Sequence, residues 1–129
     1  MEIVYNADNY IDDLMNLYKN EWWTKNRSKE EVIKMLQNTT LVFGIVENDE
    51  LVAFSRVLSD RVYKAFIFDV IVKEDFRNKG YAKILMNEIL NHKELKNVKT
   101  FELYCKDEMI GFYEKSGFKK VEDLVLLKR

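Results

Sequence analysis

The chain has 129 residues, 47% of them hydrophobic and 33% charged, so it is long enough to bury the core of one domain. Its 21 basic and 22 acidic residues give a formal net charge of −1, which argues against general nucleic-acid binding because that function needs a basic surplus on one face. No apolar run approaches the roughly 20 residues of a membrane span, and one cysteine (Cys105) with one histidine (His92) argues against a metal site. We therefore expect a single cytoplasmic domain, residues 1–129, with no metal, nucleic-acid or membrane partner.

The first third of the chain predicts one short strand and two helices. Ile3 to Tyr5 is a short β-type run, and apolar residues spaced three and four apart from Ile11 to Tyr18 predict a helix with one apolar face. Ser28 and Glu31 form a capping-box pattern. This pattern predicts that a second helix begins there, with an apolar stripe from Val32 to Leu36.

Three runs rich in β-branched and apolar residues follow, separated by short polar connections. They are Leu41 to Glu47, Leu51 to Leu58 and Ala65 to Val72. Their close spacing predicts two successive hairpins. The third run is apolar except for Asp69, which predicts a central strand that is buried on both faces.

The last third predicts two more helices and two more strands. A helix-patterned segment runs from Gly80 to His92, and a strand from Thr100 to Cys105 follows it. Asp107 is a candidate cap for a short helix from Met109 to Ser116, and Lys120 to Leu127 is the closing strand. The resulting order of elements is that of a mixed α/β domain around one sheet.

The connection from Arg77 to Ala82 lies between a predicted strand and a predicted helix, and it predicts an anion site. The N–H groups of such a loop and first helical turn lack partners inside the helix, and the helix dipole favours negative charge there. Three ligand classes use this arrangement. A P-loop needs G-x-x-x-x-G-K-[ST] and a dinucleotide fold needs G-x-G-x-x-G, and neither spacing occurs here. The third class is the pyrophosphate of coenzyme A.

Two segments carry a resemblance to a known superfamily. Arg77 to Ala82 resembles R/Q-x-x-G-x-G/A, the coenzyme A signature of the GNAT N-acetyltransferases, and Phe112 to Phe118 resembles their second recurring segment. The stretch from Trp22 to Arg77 resembles a small bacterial-type subgroup. The resemblance implies a mixed, mostly antiparallel GNAT-type sheet with helices on both faces and a splayed pair of central strands. It also implies transfer of an acetyl group from acetyl-CoA to a primary amine. We expect direct transfer in a ternary complex, with a small molecule as the acceptor.

The resemblance assigns coenzyme A to the end of one strand and the loop after it. The strand residues would bind the pantetheine arm, and the loop N–H groups would bind the pyrophosphate; the alternative is an ordinary turn with solvated charges. The residues so implied are Val70, Ile71, Val72, Arg77, Asn78, Lys79, Gly80, Tyr81, Ala82 and Lys83, to which the second recurring segment adds Phe112.

Catalytic roles are expected for Tyr113 and Asp69. Relatives place a tyrosine at the position of Tyr113, aimed at the sulfur, so it is the predicted general acid, the alternative being a core aromatic residue. Asp69 is the lone charge in a buried strand, where desolvation would raise its pKa into the range of a general base. The alternative for Asp69 is a structural partner for Arg56 or Arg61.

The general base has further candidates. Asp60 and Glu102 are the lesser ones, and a water relay would make a base unnecessary. Many relatives carry an asparagine before the last helix, where this chain has Cys105-Lys106-Asp107, so Asp107 is the candidate replacement. Cys105 itself is expected to be a small buried residue.

The acceptor pocket is assigned to Trp22, Trp23, Arg27 and Arg56, which would suit an aromatic or anionic amine. The alternative is that the tryptophans pack the helices onto the sheet. Two other functions stay open: a non-catalytic coenzyme A-binding regulatory module of the same fold, and a nucleotide-binding regulator. A monomer or a homodimer is expected, since the closing strand is a candidate edge for a second copy.

Overall fold

A five-stranded mixed sheet forms the centre of the protein in a computed structural model that describes residues 1–129. Neighbouring strands follow chain order across the sheet, the first four antiparallel and the last pair parallel. The strands are β1 (Glu2–Val4), β2 (Leu41–Glu47), β3 (Glu50–Ser59), β4 (Lys64–Val72) and β5 (Thr100–Leu103). The mixed, mostly antiparallel sheet confirms the predicted fold class.

Four α-helices cover the two faces of the sheet. They are α1 (Ile11–Lys19), α2 (Lys29–Gln37), α3 (Tyr81–Leu90) and α4 (Ile110–Glu114). The apolar sides of α1 and α2 pack on one face, and α3 packs on the other with Tyr113 of α4. The predicted capping box is confirmed, because Ser28 and Glu31 exchange hydrogen bonds at the start of α2. No helix is long and apolar enough to span a membrane.

The first hairpin closes through the two residues Asn48 and Asp49. Both have positive φ, 49° and 64°, and their neighbours Glu47 and Glu50 pair across the ladder. Two consecutive left-handed residues match the right-handed twist of the flanking strands, and asparagine and aspartate tolerate that conformation best after glycine. The predicted hairpin is therefore confirmed.

The strands β4 and β5 separate partway along their length. Their pairing ends at Ile67 and Leu103, whereas β4 continues to Val72. A bulge accompanies the separation, since the β3–β4 register shifts and Asp69 takes a left-handed φ of 57°. The backbone of β4 beyond Ile67 consequently has an open side, which is the splay that the resemblance implied.

Three expectations about elements are wrong. Lys120 to Leu127 forms no strand and is exposed, because a β-type run becomes a strand only where another edge pairs with its N–H and C=O groups. Lys106, not Asp107, occupies the cap position of the 3₁₀ turn before α4, and no side chain caps it. The β4 strand is covered only in part, since Phe66 and Phe68 are half-buried and belong to neither of the two apolar clusters.

Candidate functional site

The loop between β4 and α3 presents six consecutive backbone N–H groups with no acceptor inside the protein. They belong to the residues from Asn78 to Lys83. Asn78 and Gly80 have positive φ, 64° and 84°, which turns the chain sharply into the helix. A Cβ on Gly80 would meet nothing within 4 Å, so glycine is needed there for its backbone conformation and not for space. A run of free N–H groups at the start of a ten-residue helix is a geometry that suits an anion.

Side chains around this loop are partly engaged. Arg77 donates to the Val72 carbonyl at 3.0 Å and to Glu21 at 2.9 Å, so its guanidinium joins the end of β4 to the segment after α1. Lys79 lies over the ring of Phe76, 5.1 Å from its centroid. Lys83 is exposed. Lys79 and Lys83 therefore add positive charge near the free N–H groups, whereas the charge of Arg77 is offset by Glu21.

Tyr113 is buried between two phenylalanine rings. Its ring centroid lies 4.9 Å from that of Phe112 and 6.1 Å from that of Phe118, both edge-on. Its hydroxyl makes no hydrogen bond within the protein, although it is not sealed from solvent. Burial, with a smaller contribution from Cys105, raises the pKa of Tyr113 to about 12. The hydroxyl stays protonated at neutral pH and is free to donate, which suits its predicted role as well as a core position.

Asp69 lies at the centre of a buried polar cluster. Its carboxylate accepts from Arg27 at 2.8 Å, from Arg56 Nε at 2.8 Å and from the Tyr18 hydroxyl at 2.9 Å. The Asp69 side chain is only 4% exposed. The left-handed bulge aims this carboxylate at the α1–α2 side of the sheet, where both guanidiniums meet it.

The expectation that burial raises the pKa of Asp69 is wrong. Burial alone would raise it, but the hydrogen bonds and positive charges of Arg27 and Arg56 together outweigh burial and lower the pKa of Asp69. Arg56 is thus the structural partner that the sequence named as an alternative. Arg61 is not, because it pairs with Glu94 at the surface.

The two lesser base candidates are engaged elsewhere. Asp60 accepts N–H groups from Val62, Tyr63 and Lys64, and these bonds lower its pKa. A hydrogen bond from Lys64 lowers the pKa of Glu102. Both carboxylates shape the turn before β4 and its pairing with β5.

The segment between α1 and α2 carries both tryptophans to the surface. Trp22 and Trp23 are 64% and 44% exposed and pack edge-on against each other at 5.7 Å. Lys106, which follows β5, lies over the Trp22 ring at 4.5 Å from its centroid. The α1–α2 segment therefore meets the chain after β5 beside the opening between β4 and β5.

Sequence reasoning missed several residues at this opening. Phe66 and Phe68 stack along β4, and Tyr104 packs against both. The alternation of aromatic residues in β4 was visible, but it suited a buried strand equally well. Tyr18 was assigned to the core from its helical spacing, and its hydroxyl contact with Asp69 has no signal in the sequence.

The segment that replaces the family asparagine differs from expectation at one residue. Cys105 is exposed, not buried, because β5 ends two residues earlier and the chain turns outward. Partial desolvation of the sulfur, followed by the nearby negative charge of Asp107, raises the pKa of the Cys105 thiol, so it is a poor nucleophile. Asp107 makes no side-chain hydrogen bond within the protein, and its proposed replacement of the asparagine stays a prediction.

A separate cavity of about 530 Å³ lies between α1 and the end of β4. It reaches Val72 and Arg77, but five carboxylates line it against three cationic side chains. That excess of negative charge makes the cavity a poor site for a diphosphate. The free N–H groups of the loop remain the better anion site.

Comparison with known proteins agrees with the geometry. The model of the acetyltransferase (GNAT) family matches residues 10–118. The chain is 30% identical over 118 residues to an uncharacterized N-acetyltransferase, ycf52, of Porphyra purpurea, a match that spans 84% of this chain and 68% of the relative. A chloroplastic GCN5-related N-acetyltransferase of Arabidopsis thaliana is 34% identical over 67 residues, 52% of this chain and 34% of that protein.

Solved structures show the same fold. A GNAT-family acetyltransferase structure from Xanthomonas campestris pv. campestris has a TM-score of 0.83 at 28% identity, covering 100% of this chain and 94% of that one. Glucosamine-6-phosphate N-acetyltransferase from Arabidopsis thaliana has a TM-score of 0.77 at 20% identity, covering 99% and 97%, and this likeness shows the fold alone. With the family match over residues 10–118, the chain belongs to the GNAT acetyltransferase family.

Proposed function

We propose that this protein transfers an acetyl group from acetyl-CoA to a primary amine of a small molecule by direct transfer in a ternary complex. The observation that carries the proposal is the run of six free N–H groups from Asn78 to Lys83, directly after a strand whose other side is open. A diphosphate bound at the loop places the rest of the cofactor beside that strand. Family membership supports acetyl transfer as the reaction.

The donor would lie along β4. Its pyrophosphate accepts hydrogen bonds from the loop, with Gly80 allowing the close approach. The open side of β4 runs from Phe68 to Val72, about 13 Å at about 3.3 Å per residue step. The Val72 carbonyl already accepts from Arg77, and the backbone groups before it that have no partner can bind an extended pantetheine arm as a missing strand would. The thioester then lies where β4 and β5 separate.

The reaction itself needs little from charged side chains. The neutral amine attacks the thioester carbonyl carbon, the new C–N bond forms, the C–S bond breaks and coenzyme A leaves as a thiolate. Tyr113 would donate its hydroxyl hydrogen bond to that sulfur as charge develops. The pKa of a free thiol is near 8.5, and that of Tyr113 is raised to about 12. Because the phenol is the weaker acid of the two, Tyr113 keeps its proton in the ground state.

We assign Asp69 a positioning role in place of the general base. Its lowered pKa and its two guanidinium partners make it a weak proton acceptor at neutral pH. It would hold Arg27 and Arg56 at the acceptor side of β4. The amine proton would then leave through water to solvent, which is the water relay that the sequence left open.

Thiol release tests the proposal directly. Wild-type protein with acetyl-CoA and a panel of amines, amino acids, polyamines and aminoglycosides should release free thiol only when an acceptor is present. Thermal shift with acetyl-CoA, coenzyme A and ATP completes the test, since a ligand at about 100 times its dissociation constant stabilises by roughly 2.7 kcal/mol. Stabilisation by acetyl-CoA without thiol release would indicate the regulatory module, and stabilisation by ATP alone would indicate a nucleotide-binding regulator.

A further inference from the structure

Arg56 uses only part of its hydrogen-bonding capacity inside the protein. Its Nε donates to Asp69, and its two terminal nitrogens have no protein acceptor. The side chain is 12% exposed, and neither terminal nitrogen is cut off from solvent. A largely buried guanidinium with two free nitrogens forms a fork for a planar, two-oxygen anion.

The cluster around Arg56 contains two guanidiniums but only one carboxylate, so it has one positive charge in excess. One guanidinium would neutralise Asp69, but Arg27 and Arg56 both contact it. Holding a second cation in a mostly desolvated site is costly unless another anion offsets it. Lys106, across the opening at Trp22, adds to the same sign of charge, while Glu21 is neutralised by Arg77.

The free nitrogens lie beside the place where the acetyl group would be transferred. Arg56 pairs with Phe68 in the β3–β4 register, and its guanidinium carbon is 5.0 Å from the centre of the Phe68 ring. Phe68 is the first residue of β4 beyond the last pair with β5. Along the strand direction, Arg56 therefore lies at the level of the first β4 residue beyond the pairing with β5.

Aromatic rings border the same opening. Phe66 and Phe68 stack with centroids 5.9 Å apart, and Tyr104, at 5.8 and 6.3 Å from them, is largely exposed. Trp22 is exposed on the neighbouring segment. Solvent-facing rings on a scaffold this small offer a flat apolar surface to part of a ligand.

We propose that the acceptor is an amino acid with a flat apolar side chain, whose carboxylate binds the two terminal nitrogens of Arg56. The inference rests on the proposed function and specifies its acceptor. In an α-amino acid the carboxylate and the amine share one carbon, which matches an anion site directly beside the transfer point. The side chain lies against the rings of Phe66, Phe68 and Tyr104.

Matched acceptor pairs test this assignment. Aromatic amino acids and the amines that remain when their carboxylate is removed are compared by kcat/KM for thiol release. Wild-type protein should prefer the amino acid by at least about tenfold, because the amine without a carboxylate leaves the Arg56 donors unpaired. A phosphate-bearing amine series forms a third arm, and a preference for it over the amino acids would overturn the carboxylate assignment.

The variant Arg56→Lys keeps one charge and one donor for Asp69 but loses the fork. The ratio of kcat/KM between amino acid and amine should fall by about tenfold or more, whereas the Kd for acetyl-CoA should stay within about twofold and so report an intact fold. Arg61→Lys, on the same hairpin and paired only with Glu94, is the matched control and should leave the ratio unchanged.

The outcomes separate the two levels of the proposal. No thiol release with any amine would overturn the proposed function itself. Acetylation of the carboxylate-free amines at least as well as of the amino acids, with a ratio insensitive to Arg56→Lys, would overturn only the assignment of the acceptor.

Discussion

Asp69 combines two unfavourable features that the surrounding residues compensate. It is a charged group that is almost fully buried, and its backbone is left-handed within a strand. Aspartate tolerates that conformation better than most residues, and Arg27 and Arg56 neutralise its charge. The sequence marked Asp69 as unusual but could not show its pKa, because the pKa depends on which of several arginines the fold brings near.

Asp69→Asn should destabilise the protein by about 3 kcal/mol at neutral pH, because it keeps the shape and the left-handed preference but leaves two partly buried guanidiniums unpaired. Since the folded-state pKa is lowered, the stability from ionised Asp69 is complete above the unfolded pKa of about 3.9 and is lost as pH falls through the folded pKa. Urea unfolding of both proteins at pH 7 and near pH 2 measures this. An equal difference at both pH values would contradict it.

Tyr113→Phe should lower kcat by about 100-fold and leave the Kd for acetyl-CoA within about twofold, because the hydroxyl acts only on the leaving sulfur. Steady-state thiol release and calorimetric titration give the two numbers. Tyr63→Phe removes a hydroxyl from an exposed ring and is the control. A Tyr113→Phe protein with wild-type kcat would show that Tyr113 is a core aromatic residue only.

At the scale of elements, the loop before α3 depends on one glycine. Gly80→Ala should destabilise the protein by about 1 kcal/mol and weaken acetyl-CoA binding roughly fivefold, because alanine resists the φ of 84° and moves the first-turn N–H groups. Gly111→Ala is the control, with open space at its Cβ and no positive φ. It should be neutral or stabilise the protein by about 0.5 kcal/mol. Equal effects of the two changes on binding would contradict the role of the loop.

Most elements were predictable from local pattern, and the failures share one cause. The capping box at Ser28, the β2–β3 hairpin and the loop from Arg77 to Ala82 rest on contacts within a few residues, so the sequence contains them. The run from Lys120 to Leu127 has strand composition, but pairing depends on a distant edge. The candidate site follows the same rule: the sequence contains the local pattern of its loop, whereas the contacts of Arg56 with Asp69 and Phe68 join separate elements. The role of the loop as a coenzyme A site stays a prediction.

At the scale of the whole molecule, residues after Phe118 add little to the fold. Val125 and Leu127 are exposed, Leu127 at 86%. The double change Val125→Lys with Leu127→Lys should therefore alter the free energy of unfolding by less than about 0.5 kcal/mol. Thermal unfolding at two protein concentrations measures this. A loss of Tm that depends on concentration would instead show that the segment is buried in a homodimer.

The two faces of the sheet hold different parts of the candidate site. The core under α3 and α4 holds the loop and Tyr113, and the core under α1 and α2 holds Asp69 with its arginines. The opening between β4 and β5 joins them. A donor on one side and an acceptor on the other would meet there, which is the geometry that direct transfer requires.

The proposed function depends above all on binding of the acetyl-CoA pyrophosphate by the free N–H groups from Asn78 to Lys83. Amide ¹H–¹⁵N spectra of the labelled protein, titrated with acetyl-CoA, test it most directly. We expect saturable downfield shifts of the amide protons of these six residues, as each gains a charge-assisted hydrogen bond. Saturable shifts confined to other residues, such as those lining the cavity beside α1, would contradict it.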